Sequence, residues 1–196
     1  MAPHVTIFGG SFNPIHLGHL ALCKTLLHQG LTDEVWLMVS PANPLKHSHL
    51  LLPEQVRLHL CERAIEGESD IVASPFEFAM PRPSYTWQTL KALHIAYPHM
   101  EFSLLIGADN WAIFDRWAHH AEILAHHDLF IYPRPSHPLD LATLPARCHP
   151  IEAPLLPISS TEIRQRLQEG LDVSHMLPPG VEAEIKRLHL WPPVHP

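Results

Sequence analysis

The run Val5-Thr6-Ile7-Phe8-Gly9-Gly10, followed within a few residues by His16-Leu17-Gly18-His19, constrains this chain more than any other feature. A short apolar, partly β-branched run closed by two glycines reads as a buried parallel strand. Glycines directly after such a strand let the backbone bend sharply and approach a ligand where a Cβ would clash. Asn13-Pro14 marks a turn, and a helical run follows from about Gly18 to His28, with Gly30 placed as its stop. A helix start offers free N–H groups and a positive dipole end, which suit an anion. His16 and His19, three apart, share one face of that first turn. Taken alone, the stretch fits a phosphate site, a metal pair in need of a third ligand, or two packing histidines.

The same alternation continues along the chain. Glu34 to Ser40, Ile71 to Ala73, Glu101 to Asp109 and Leu129 to Tyr132 read as strands, and Ile151 to Ile158 contains another, interrupted by Pro154 and Pro157. Helices are expected after Pro53, after Pro83-Ser84-Tyr85-Thr86, and from the S-x-x-E capping box at Ser159-Ser160-Thr161-Glu162 to Gly170. A last one follows Pro178-Pro179, with Val181, Ile185 and Leu188 on one side. Strands alternating with helices predict an α/β, Rossmann-like, doubly wound and mostly parallel sheet with helices on both faces. With 196 residues, no internal repeat and no linker, the expectation is one domain over 1–196. Its C-terminal helical portion covers about 159–190, and 191–196 form an irregular tail. Pro133 to Pro150 is the candidate mobile loop.

Composition excludes several classes. A formal net charge of −7 argues against extended nucleic acid as a partner, though a few placed cations and dipoles still admit a small anion. The 18 histidines are scattered, so most read as surface composition. Cys23, Cys61 and Cys148 are odd in number, far apart and without a CxxC, as expected of reduced thiols in a cytoplasmic protein. No leader and no long apolar run is evident, so neither secretion nor a membrane span is expected. A homo-oligomer is compatible with the sequence, which does not specify one.

In a sheet of this kind ligands bind beyond the carboxyl ends of the strands. Gly9-Gly10, Lys46, Gly107 to Asp109 and Ser159 all follow strands and should converge on one edge. Lys46, the helix start at Ser159, Ser160 and Thr161, and Arg164 add a compact charge, N–H groups and a planar fork to the glycine turn, the parts a polyphosphate site requires.

Those residues resemble a known set. Gly9-Gly10-Ser11-Phe12-Asn13-Pro14 with His16-x-Gly18-His19, Asn43-Pro44-Leu45-Lys46, Pro83-Ser84-Tyr85-Thr86, Ile106-Gly107-Ala108-Asp109, Trp117, and Ile158-Ser159-Ser160-Thr161-x-Ile163-Arg164 run in the order found in bacterial nicotinate-nucleotide adenylyltransferases. These belong to the nucleotidyltransferases with the H-x-G-H motif. The resemblance implies adenylyl transfer from ATP to nicotinate mononucleotide, giving deamido-NAD and pyrophosphate, with Mg²⁺ arriving on the nucleotide. It implies catalytic roles for His16, His19, Lys46 and Arg164. It also implies ATP contacts from Gly9, Gly10, Ser11, Phe12, Gly18, Ile106, Gly107, Asp109, Ile158, Ser159, Ser160 and Thr161, with Asp109 near the ribose. Asn13, Lys46, Ser84, Tyr85, Thr86 and Trp117 would form the mononucleotide pocket. Many relatives carry Asp where this chain has Asn13, which keeps the turn chemistry and loses a charge. An amide-accepting adenylyltransferase for nicotinamide mononucleotide and a non-catalytic nucleotide sensor are the alternatives.

Overall fold

The computed structural model describes residues 2–41, 51–154 and 156–193, and strand and helix alternate through them. β1 (His4–Gly10) leads through α1 (Leu17–His28) to β2 (Glu34–Val39), and α2 (Glu54–Ala64) leads to β3 (Ile71–Ser74). A 3₁₀ turn (Phe76–Ala79) and α3 (Thr86–Ala96) carry the chain to β4 (Glu101–Gly107). α4 (Ala108–Trp111), a second 3₁₀ turn (Phe114–Arg116) and α5 (His120–His126) lead to β5 (Leu129–Tyr132) and β6 (Cys148–Pro150). α6 (Ser160–Gln168) and α7 (Pro179–Arg187) follow. The six strands form one sheet in the order β3-β2-β1-β4-β5-β6, every pair parallel.

Period-2 alternation divides the core between the two faces. Phe8, Val35, Leu37, Leu105, Phe130 and Tyr132 point into a cluster shared with α1, α2, α6 and α7. Val5, Ile7, Trp36, Met38, Leu104, Ile106 and Ile131 point into a second cluster under α3 and the segment before β5. Burying both faces is what makes these strands read as nearly continuous apolar runs. The polar exceptions pair with each other: Thr6 lies opposite Ser103 in the β1–β4 register, and their hydroxyls meet at 2.8 Å in the interior.

Helix ends follow the sequence signals. Gly30 has φ +64°, and the bonds from its N–H to Leu27 and from Leu31 N–H to Leu26 close α1 with two of its last carbonyls satisfied. Gly170 ends α6 in the same way. Three expectations need correction. The sixth strand is Cys148–Pro150, within the stretch expected to be a loop, whereas 151–158 is not strand among its described residues. Pro154 and Pro157 have no N–H for a ladder, and Ile151 N–H makes the last bond to β5, at Ile131 O. The expected loop also holds a 3₁₀ turn, Leu141–Thr143. On α7, Val181 and Ile185 are buried, but Leu188 lies just past the helix and is partly exposed.

Candidate functional site

The strand order reverses between β1 and β4, so their carboxyl ends diverge and leave a crevice there. A cavity of about 650 Å³ opens at this point. Gly9, Gly10 and Ser11 from the end of β1 line it, together with Ile106, Gly107 and Asp109 from the end of β4. A Cβ built on Gly9 would meet no atom of the described residues within 4 Å, so packing among them does not demand glycine there. What the bare backbone provides at Gly9 is close approach for a ligand.

Beyond Gly10 the chain turns back on itself. Phe12 takes φ +44°, the Asn13–Pro14 peptide is cis, and the Phe12 ring is buried against Phe8 and His19 at centroid distances of 5.6 and 5.1 Å. Three side chains, from α2 and α6, pin this turn. Arg57 of α2, wholly buried, donates to the carbonyls of Ser11 (2.6 Å), Pro41 (3.1 Å) and Leu52 (2.9 Å). Arg164 Nη1 donates to Asn13 O at 2.7 Å, and Ser160 Oγ donates to Pro14 O at 2.9 Å. Asn13 Oδ1 accepts from Leu52 N–H at 3.1 Å, so this acceptor holds the neighbouring loop base in place.

The two motif histidines stack with centroids 3.7 Å apart and planes 25° apart. His16 is the N-cap of α1, and its N–H donates to His19 Nδ1 at 3.2 Å. An imidazole that accepts at Nδ1 carries its proton on Nε2, so His19 is set up as an Nε2–H donor. Burial pushes the His16 pKa down to about 4, with Arg134 adding to the effect, so this ring is neutral at pH 7. Gly18 makes room for the pair, since a Cβ there would lie 3.0 Å from the His16 ring.

At the start of α6 the Ser159 hydroxyl accepts from Glu162 N–H, and Thr161 Oγ1 accepts from Arg164 Nη2. These side chains brace the helix start and the arginine, leaving backbone N–H groups as what α6 can offer an anion. No described carboxylate pairs with Arg164. Ile158 lies beside Gly18, 4.0 Å from the position of an added Cβ. Lys46, with Asn43, Pro44 and Leu45, lies outside the described residues.

The other end of the cavity is lined by Ser84, Tyr85, Thr86 and Trp117. α3 starts there with Tyr85 as N-cap and no side-chain cap among the described residues, so the first N–H groups of an eleven-residue helix are left beside the cavity without an intrahelical acceptor. Trp117 both lines the cavity and packs on Phe114 at 5.1 Å, so its pocket and packing roles coexist.

The structure therefore brings the glycine turns, Ile106, Asp109, the Ser84–Thr86 segment and Trp117 to one cavity. Phe12, Asn13, His16, Gly18, His19, Ile158 and α6 are grouped around the turn after β1 and are not among the residues that line this cavity. Several residues were missed in the sequence. Arg134, just past β5, lies 3.6 Å (Nε) from Asp109 Oδ1 and donates to the Tyr132 hydroxyl at 3.1 Å. Its signal was present, a cation directly after a strand end. Glu77, Thr89 and Arg116, unlike Arg134, line the cavity itself, and the sequence carries no such signal for them. Among the described residues, no group of three His, Cys, Asp or Glu side chains could hold a metal ion, and no helix is long and apolar enough to cross a membrane.

A parallel sheet with its ligand crevice at the β1–β4 reversal, glycine strand ends and paired histidines at a helix start defines a nucleotidyltransferase-type site. The chain belongs to the Cytidylyltransferase-like family, which it matches over residues 7–166. Within that family it belongs with the nicotinate-nucleotide adenylyltransferases. It is 47% identical over 179 residues to the "Probable nicotinate-nucleotide adenylyltransferase" of Bacteroides fragilis, covering 91% of this chain and 89% of that protein. Its identity to the like-named protein of Bacteroides thetaiotaomicron is 49% over 175 residues, covering 89% and 87%. In fold it is similar to Plasmodium falciparum nicotinic acid mononucleotide adenylyltransferase complexed with NaAD, with a TM-score of 0.83, 21% identity, and 96% and 97% of the two chains covered.

Proposed function

We propose that this chain transfers the adenylyl group of MgATP to nicotinate mononucleotide, forming deamido-NAD and pyrophosphate. The observation that carries this is a single cavity with two lining regions whose chemistry suits anionic nucleotides. The bare strand ends at Gly9–Ser11 and Gly107–Asp109 lie at one part of it, and the uncapped start of α3 with Trp117 at another. No protein nucleophile is needed. An oxygen of the mononucleotide phosphate attacks the α-phosphorus of ATP, the bond from that phosphorus to the bridging oxygen of the β-phosphate breaks, and the electron pair leaves with pyrophosphate. The enzyme's task is to align the two phosphates and to neutralise charge building on the leaving group.

His19, an Nε2–H donor, serves the α-phosphoryl oxygens, with neutral His16 stacked behind it. Arg164, Lys46 and the α6 N–H groups take the β- and γ-phosphates, and Arg134 adds a cation beside Asp109. Asp109 meets the ribose of the adenosine, framed by Gly9, Ile106 and Gly107. Mg²⁺ enters as part of the nucleotide, in the cytoplasm. The ring of the second substrate stacks on Trp117, and its carboxylate meets the N–H groups at Tyr85 and Thr86, where the helix dipole favours an anion over a neutral amide.

The test is pyrophosphate release from MgATP with nicotinate mononucleotide and nicotinamide mononucleotide in parallel. Strong preference for the acid is expected. Preference for the amide would overturn the acceptor assignment, and release with neither would overturn the activity.

A further inference from the structure

Glu77 is a buried carboxylate on the 3₁₀ turn after β3, and it lines the cavity. No described cation lies within 4 Å of it as an ion-pair partner. Its two oxygens are divided between two hydroxyls on either side of the start of α3. Ser84 Oγ donates to Oε2 at 3.0 Å, and Thr89 Oγ1 donates to Oε1 at 2.7 Å.

With Tyr85 as N-cap, Ser84 is the residue just before the cap and Thr89 is the fourth helical residue. A hydrophobic pair at these two positions fixes the angle at which a chain enters a helix. Here both positions are polar and are tied to each other through a third residue. A carboxylate suits that task because it only accepts and can receive two hydroxyls at once, with charge-assisted bonds stronger than neutral ones. The bonds anchor the start of α3 to the turn after β3, across the Met80–Pro83 segment. The part held in place is the helix start that lines the cavity through Tyr85 and Thr86 and has no side-chain cap of its own.

We infer that Glu77 is a positioning residue for the acceptor, a polar staple that aims the first N–H groups of α3 at the anionic group on the acceptor's ring. This rests on the adenylyl-transfer reading above. Glu77 does not touch the acceptor. Both oxygens of its carboxylate are engaged by hydroxyl donors, which stabilise its negative charge in place.

The test is steady-state kinetics of Glu77→Ala, Glu77→Gln, Thr89→Val and the Glu77→Ala/Thr89→Val double variant, varying each substrate with the other saturating and recording thermal melts alongside. The wild type comes first: no turnover with nicotinate mononucleotide would refute the adenylyl-transfer reading itself. Given turnover, Glu77→Ala should raise the KM for nicotinate mononucleotide at least about tenfold while leaving that for ATP within about twofold, since displaced binding groups cost specificity only where they act. Glu77→Gln keeps both contacts by accepting from Thr89 and donating to Ser84, and should recover most of the loss. The double variant should be no worse than Glu77→Ala alone. If the two KM values rise together, if neither changes, or if Glu77→Gln is as impaired as Glu77→Ala, the positioning role is overturned. Should Glu77→Ala fail to fold, Thr89→Val alone must still raise the acceptor KM selectively for the inference to stand.

Discussion

His16 should remain uncharged through the neutral range and make the folded chain sensitive to acid. Its pKa, held down to about 4 by burial and secondarily by Arg134, compares with about 6.5 for an unfolded histidine. Between those values the unfolded chain binds one more proton here than the folded chain, so stability falls as pH falls. The contribution is complete above about pH 6.5 and is lost progressively down to about pH 4. At about 1.4 kcal/mol per unit, the window amounts to roughly 3 kcal/mol, a large share of the stability of a typical domain. A protonated His16 would face the Arg134 guanidinium and the His19 ring stacked 3.7 Å away. Because the chain has 18 histidines, the measurement must be a difference. Urea unfolding of the wild type and His16→Gln would be followed from about pH 7.5 to about pH 5, where the wild type should lose about 2 kcal/mol more than the variant. An NMR titration of the His16 ring should show no protonation above about pH 5. Parallel pH dependence in the two proteins, or a ring that titrates near its ordinary value, would refute the argument.

His19→Ala should lower kcat at least about a hundredfold, the scale of losing one preorganised donor at a developing charge; near-normal kcat in a folded variant would remove His19 from the chemistry. Arg164→Ala and Arg134→Ala should each raise the KM for ATP or lower kcat by about tenfold, as charge-assisted contacts to phosphate do, and unchanged ATP kinetics in both would sink the phosphate assignment. Thr6→Val or Ser103→Ala alone should cost about 1–3 kcal/mol in chemical denaturation by leaving one buried hydroxyl without its partner. The double variant should cost less than the sum, and additive losses would contradict the pairing.

Much of this site was legible in the sequence because its parts are local. A glycine pair after an apolar run, histidines three apart at a helix start and a serine cap on α6 each act within a few residues, so their spacing carries the information. The strand at Cys148–Pro150 was placed too late because the apolar residues after it suggested a strand. Ladder bonding to β5 ends at Ile151 N–H, and the prolines beyond cannot extend it. Arg134 follows a strand end but falls in the stretch expected as a mobile loop, and Glu77 looks like any charged residue between two phenylalanines. Both take their meaning from partners far away in sequence or on other elements, Asp109 and His16 for the first, Ser84 and Thr89 for the second.

The sequence by itself therefore determined the alternation of strands and helices, the edge of the sheet on which the motifs gather, and the residue types available for phosphate chemistry. Tertiary structure decided which of these line the cavity and which hold others in place. Asn13, Ser159 and Ser160, expected as ligand contacts, use their side chains to brace the turn after β1 and the start of α6. His16 becomes a neutral ring because the fold buries it beside a cation. The physical reason is the same in each case. Propensity and spacing act over one or two turns of chain, whereas burial, the choice of hydrogen-bond partner and the protonation state depend on neighbours that only the folded chain supplies.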